Sequence, residues 1–156
     1  MLMKFISISL LVFIFRSGNQ YTIDKKKNQV TRNTWNEGYG SQQKNIDGAD
    51  AETFKIIKPH NSNKFAKDKL HVYFDGEVIE GADPNTFVEF GKHYRDAKNV
   101  YMFVDGRVKP LKNSNPEKFK ILNRTYSRDD KQIFIYEKGF VPRDIDSFEP
   151  LNDRLW

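Results

Sequence analysis

Four acid or amide side chains recur with a phenylalanine four residues on: Asp50-Ala-Glu-Thr-Phe54, Asp83-Pro-Asn-Thr-Phe87, Asn115-Pro-Glu-Lys-Phe119 and Asp144-Ile-Asp-Ser-Phe148. A recurring carboxylate could build a ladder of calcium sites. The Asp-x-Asp/Asn-x-Asp/Asn-Gly loop with its distant Glu is missing, however, and Asn115 replaces the charge at one position. Capping explains all four, because Asn accepts from the free amides of a first helical turn as well as Asp does. His60, His71 and His93 have no paired spacing that would bring them to one metal, so they read as surface or turn residues. No Gly-x-Ser-x-Gly elbow or Ser-x-x-Lys set is present, and Gly38-Tyr-Gly40 lacks the continuation of a phosphate loop. No pair of carboxylates is singled out for glycoside cleavage. The residues therefore predict no enzyme, no cofactor and no metal site.

The elements around these residues repeat. The phenylalanines are spaced by 33, 32 and 29 residues. Proline after the cap in two copies suits a first helical position, and the Phe can pack inward as a staple. Apolar residues follow at Ile56-Ile57, Val88, Phe90, Ile121-Leu122 and Leu151, which predicts a short helix after each cap. Between these segments lie Phe65 to Gly76, Tyr94 to Gly106 and Tyr126 to Gly139. Each has an aromatic, a charged stretch, a β-rich run and a turn. Asp75-Gly76 and Asp105-Gly106 are hairpin turns, since both central positions of a type I′ turn need positive φ. Lys138-Gly139 is a weaker version. The returning strands are expected at residues 77–80, 107–111 and 140–142. The β-rich runs are apolar on both faces and so are expected to be covered on both.

The expected fold is mainly β (α+β): serial hairpins, each followed by a short capped helix, in a small repeat array. Residues 19–64 would hold a degenerate first copy, whose hairpin is hard to place in the polar, Gly-rich stretch from Trp35 to Gln43. Further copies would occupy residues 65–93, 94–125 and 126–156. Leu155 and Trp156 are expected to cap the last.

Residues 1–18 stand apart. A short basic start precedes an apolar run over residues 5–15, too short to span a bilayer and of signal-peptide proportions. Export to the periplasm, cell surface or exterior is the expected address. An uncleaved amino-terminal tether, or a buried first element of a cytosolic protein, is the alternative. Removing that segment takes away Lys4 and Arg16 and lowers the net charge from +5 to +3, which argues against nucleic acid. No membrane span would then remain. With no cysteine in the chain, the fold must hold without disulfides.

The stretch Lys67-Asp-Lys-Leu-His-Val-Tyr-Phe74, then Gly76, then Ile79-Glu-Gly-Ala-Asp-Pro-Asn-Thr-Phe87 resembles a unit of the DKNYY family. That family is named for an Asp-Lys-Asn-Tyr-Tyr-like core followed by a Gly-Ala-Asp-Pro-x-x-Phe element. The core returns as Asp96-Ala-Lys-Asn-Val-Tyr101 and Asp130-Lys-Gln-Ile-Phe134, while Ala82-Asp83 becomes Ser114-Asn115 and Arg143-Asp144 in later copies. The resemblance covers residues 65–151 well and 21–57 weakly. It implies a bacterial protein, often with a leader, of uncharacterised function; it implies architecture and address, and no reaction. The functional expectation is a non-catalytic interaction or structural protein with a protein or cell-envelope partner. The alternative is a module binding glycan or another extended ligand on a ribbon of Tyr73, Tyr101, Phe103, Phe134 and Tyr136, residues for which cross-strand core packing is the more ordinary reading.

Overall fold

The computed structural model describes residues 20–59 and 62–150. The leader segment, His60 and the expected cap residues Leu155 and Trp156 lie outside the described residues. Those described form fifteen strands in four small antiparallel sheets. The first sheet holds β1 (Tyr21–Asp24), β2 (Gln29–Asn36) and β3 (Gly40–Asn45) in that order. The second holds β4 (Lys55–Ile57), β5 (Phe65–Lys67), β6 (Val72–Phe74) and β7 (Glu77–Val78). The third holds β8 (Val88–Phe90), β9 (His93–Arg95), β10 (Val100–Val104) and β11 (Arg107–Pro110). The fourth holds β12 (Lys120–Ile121), β13 (Tyr126–Arg128), β14 (Ile133–Ile135) and β15 (Lys138–Phe140). Every sheet is a meander of sequence neighbours.

The expected short helices do not form among the described residues; the first three capped segments are each one turn leading into a strand, and the fourth is a turn at residues 145–147. The caps themselves are present. The Asp83 carboxylate accepts from the Asn85 amide at 2.9 Å and from the Thr86 hydroxyl at 3.1 Å, and the Phe87 amide closes back on the Asp83 carbonyl at 3.0 Å. Asp50, Asn115 and Asp144 accept from the amide two residues on in the same way. The turn then stops because the next residues are Lys55-Ile-Ile57, Val88-Glu-Phe90 and Lys120-Ile121. β-Branched and aromatic side chains suit a pleated strand, and pairing with β5, β9 and β13 satisfies their backbone. One capped turn is too small a nucleus to propagate against that.

The hairpins match the expectation in two of three places. Asp75-Gly76 joins β6 to β7 and Asp105-Gly106 joins β10 to β11, with φ of 54° and 84°, and 50° and 78°. In the fourth sheet the turn falls at Tyr136-Glu137, not at Lys138-Gly139, and the returning strand starts at Lys138 rather than Phe140. Tyr136 takes the positive φ itself, at 53°. The first sheet makes its hairpin at residues 36–40, within the stretch that resisted placement.

Three cores lie along the chain, each shared by successive sheets. Tyr21, Val30, Ile46 and Phe54 meet Ala66 and Tyr73; Phe65, Val72 and Phe87 meet Tyr94, Tyr101 and Val108; Val100, Leu111 and Phe119 meet Phe134. One backbone bond marks the common register: the amides of Ile46, Ile79 and Leu111 donate to the carbonyls of Val30, Val72 and Val100 at 2.9, 2.8 and 2.7 Å.

Candidate partner surface

The residues that carry the family resemblance converge on buried carboxylates. Asp68, Asp96 and Asp129 are 3–4% exposed. Asp96 Oδ1 accepts from the amides of Lys98 and Asn99, each at 2.7 Å, which fixes the tight turn between β9 and β10. Its Oδ2 accepts from the Tyr101 hydroxyl at 2.7 Å and from the Asp83 amide at 2.8 Å. Asp83 heads the capped turn that leaves the second sheet, so one carboxylate ties two sheets together. Asp68 repeats the arrangement with the amides of Leu70 and His71, the Tyr73 hydroxyl and the Asp50 amide. Asp129 keeps the three amides, from Lys131, Gln132 and Asn115, but its aromatic partner is Phe134 and brings no hydroxyl.

Charge follows from this geometry. Burial pushes the Asp68 carboxyl up, but four donors aimed at the anion outweigh it and hold the group below its ordinary range. The Tyr73 and Tyr101 hydroxyls are pushed well above theirs, by burial first and then by the adjoining carboxylate. Each phenylalanine of the capped turn seals the same joint. Phe54 meets Tyr73, Phe87 meets Tyr101 and Phe119 meets Phe134, at 5.4, 5.6 and 5.4 Å between ring centres. A cation holds the last three capped turns: Lys67, Arg95 and Arg128 donate to the carbonyls of Pro84, Pro116 and Ile145, the residues after the caps Asp83, Asn115 and Asp144.

Two readings of the sequence are corrected here. The fourth-sheet core acid is Asp129, not Asp130; Asp130 accepts instead from the Asn115 side chain at 3.0 Å. An acid five residues before a buried aromatic is the spacing that finds it. His93 is no turn residue. It begins β9, is buried, and its Nε2 lies 3.1 Å from Ser127 Oγ of the fourth sheet. Burial and the nearby Lys92 lower its pKa to about 4. Counting from the buried acids, His93 stands where Phe65 and Tyr126 stand, so Tyr94 is one place out of the aromatic series.

The five aromatics of the expected ribbon do not share a surface. Tyr73, Tyr101 and Phe134 are at most 1% exposed and belong to the cores. Phe103 and Tyr136 reach the surface, half exposed, on different sheets. The register explains the division. Val72-Tyr73, Val100-Tyr101 and Ile133-Phe134 are covered on both faces as expected, whereas Phe103 falls in the extra length of β10, beyond the core. Its ring packs edge-on against Phe74 at 5.4 Å. Phe74 also lines a cleft of about 450 Å³ between β7 of the second sheet and β11 of the third. Ile79 and Val108 join it, and Glu77, Glu80, Arg107 and Lys109 supply charge of both signs. The cleft with Phe103 beside it is a mixed apolar and charged surface suited to a polypeptide segment.

Two exposed aromatics escaped the sequence reading: Trp35 and Tyr39, on the first hairpin, are 71% and 80% exposed. The signal was the long polar stretch around them, which no core needed. Among the described residues no group of three His, Asp or Glu side chains could hold a metal ion, and no helix is long and apolar enough to cross a membrane.

No curated protein and no solved structure matches the chain. The family model of the DKNYY family matches residues 32–155. That span takes in all three carboxylate joints and the capped turns that feed them, so the chain belongs to the DKNYY family.

Proposed function

We propose that the chain is a short repeat array, exported to the bacterial envelope or exterior, that acts as a non-catalytic interaction or structural protein. The observation that carries this reading is the use made of the family's signature residues. Asp68 and Asp96 each accept four hydrogen bonds from within the protein and Asp129 three. Buried carboxylates engaged by fixed donors hold sheets together and are closed off from a substrate. What varies from sheet to sheet is the outer surface, and the cleft beside Phe103 is its most partner-like part. A leader of signal-peptide proportions supports the address.

The reading is tested by affinity capture from envelope fractions, with the chain lacking residues 1–18 as bait. A partner retained by the native bait and lost with Phe103→Ser or Arg107→Glu is the expected result. Capture indifferent to both substitutions would remove the cleft from the reading. Full-length chain found in the cytosol with residues 1–18 attached would remove the exported address.

A further inference from the structure

The first sheet differs from the others in carrying a ribbon that its core does not require. Its β2 has eight residues and β3 has six, while β6 and β14 turn back after three. Residues 34–39 are all exposed, so the end of the hairpin stands clear of the packed sheets. The pairing fixes what its two faces present. Val30 and Arg32 point to the core, and therefore Thr31, Asn33 and Trp35 point away, beside Asn45, Gln43 and Ser41 on β3. None of those six side chains is charged, in a chain that is 30% charged.

Their chemistry is specific. Trp35 offers an aromatic plane that is 71% exposed, with Tyr39 in the adjoining turn at 80%. The amides and hydroxyls beside it both donate and accept. Asn33 donates to Thr22 at 2.8 Å and Thr31 to Asn45 at 3.2 Å, which holds the polar side chains of this face in order. The nearest cations are engaged elsewhere: Lys44 lies on the opposite face, 2.7 Å from Glu77, and Arg32 is buried against Asp75. A sugar ring presents C–H bonds that lie flat on an aromatic plane and equatorial hydroxyls that pair with amides. A polyanion would find no counter-charge here and would meet the exposed Glu37 carboxylate in the turn between Trp35 and Tyr39, an acidic peptide would find no ion pair, and a basic peptide would find Glu37 alone beside six uncharged side chains.

We infer that this outward face of the β2–β3 ribbon, with Trp35 at its turn end, binds an uncharged polysaccharide chain. The site is distinct from the cleft beside Phe103 and holds whether or not that cleft has a partner. The test incubates the whole chain with insoluble chitin and with insoluble β-glucan, and measures depletion from solution. Soluble hexasaccharides of each polymer are then titrated against tryptophan fluorescence, with Trp35→Ala giving the share that comes from Trp156. Binding to at least one polymer, weakened tenfold or more by Trp35→Ala and by Asn33→Ala/Gln43→Ala but unchanged by Phe103→Ser, is expected. The exposed position of Trp35 predicts an unchanged urea midpoint for Trp35→Ala, which separates lost binding from lost folding. Depletion by neither polymer, equal binding by Trp35→Ala, or retention only on an anionic polymer or on protein would overturn the inference.

Discussion

Asp96 in the third sheet and Asp129 in the fourth occupy one place in the architecture and differ by one oxygen. Both are buried, both fix a tight turn with two amides, and both reach back to the capped turn of the preceding sheet. Only Asp96 also meets a tyrosine hydroxyl, because Phe134 replaces the tyrosine in the fourth sheet. The aromatic packing against the upstream phenylalanine is kept in both, at 5.6 and 5.4 Å. The ring therefore belongs to the core at every joint, while the hydroxyl is an addition to the carboxylate network. The backbone amides are the part common to all three joints.

Substitution can break this comparison at its strongest point first. Asp96→Ala leaves four donors without their acceptor and is expected to cost about 4 kcal/mol; Asp129→Ala leaves three and is expected to cost about 3 kcal/mol. Urea unfolding measures both. Losses under about 1 kcal/mol would mean that water replaces the carboxylate and that these acids do not hold the joints.

The same two sheets are linked by His93 and Ser127, which adds a pH dependence. The unfolded chain takes up the histidine proton near pH 6.5, whereas the folded chain resists it until about 4. Stability is thus fully present above pH 6.5 and falls as the pH drops toward 4, by roughly 3 kcal/mol. His93→Gln should flatten that part of a stability profile and leave the region below it. There the depressed carboxyl of Asp68 takes over, its contribution being present above the ordinary carboxylate range and lost as acid protonates it. An unaltered slope between pH 6.5 and 4 in His93→Gln would assign the dependence to other groups.

Exchange of the hydroxyl gives a smaller effect and sharpens the contrast. Tyr101→Phe should cost about 1–1.5 kcal/mol. Phe134→Tyr should be neutral or gain up to about 1 kcal/mol, since Asp129 Oδ2 now accepts only the Asn115 amide. A loss of stability in Phe134→Tyr would show that the fourth joint has no room for the oxygen. Smallest of all, Phe103→Ser should move the unfolding midpoint by less than about 1 kcal/mol, because the ring is half exposed. A core-sized loss there would return Phe103 to the packing and leave the cleft without its apolar flank.

Much of the architecture was legible because it depends on short spacings. The Asp-Gly turns at residues 75–76 and 105–106 follow from the φ angles those residues tolerate, and the caps at Asp50, Asp83, Asn115 and Asp144 from side-chain oxygens placed beside free amides. Family membership followed from the order of those same pieces. Helix after each cap was the wrong expectation. Local apolar residues at Ile56-Ile57 and Val88 fit a helix face or a strand equally, and the decision lay with β5 and β9, which come later in the chain.

Which strand aromatics lie beyond the covered stretch was not legible. Tyr101 and Phe103 alternate on one face of β10, yet one is core and the other surface, since the third sheet ends its packing between them. His93 and Asp129 were misplaced for a related reason: their roles are set by groups 34 and 14 residues away, the Ser127 hydroxyl and the Asn115 backbone amide. The sequence by itself determined the two Asp-Gly turns, the caps, the mainly β class and the family. The tertiary structure decided which strands share a sheet, which aromatics are buried and which carboxylate joins two sheets. Turn and cap energies are local to a few residues, whereas burial and pairing exist only once distant segments meet.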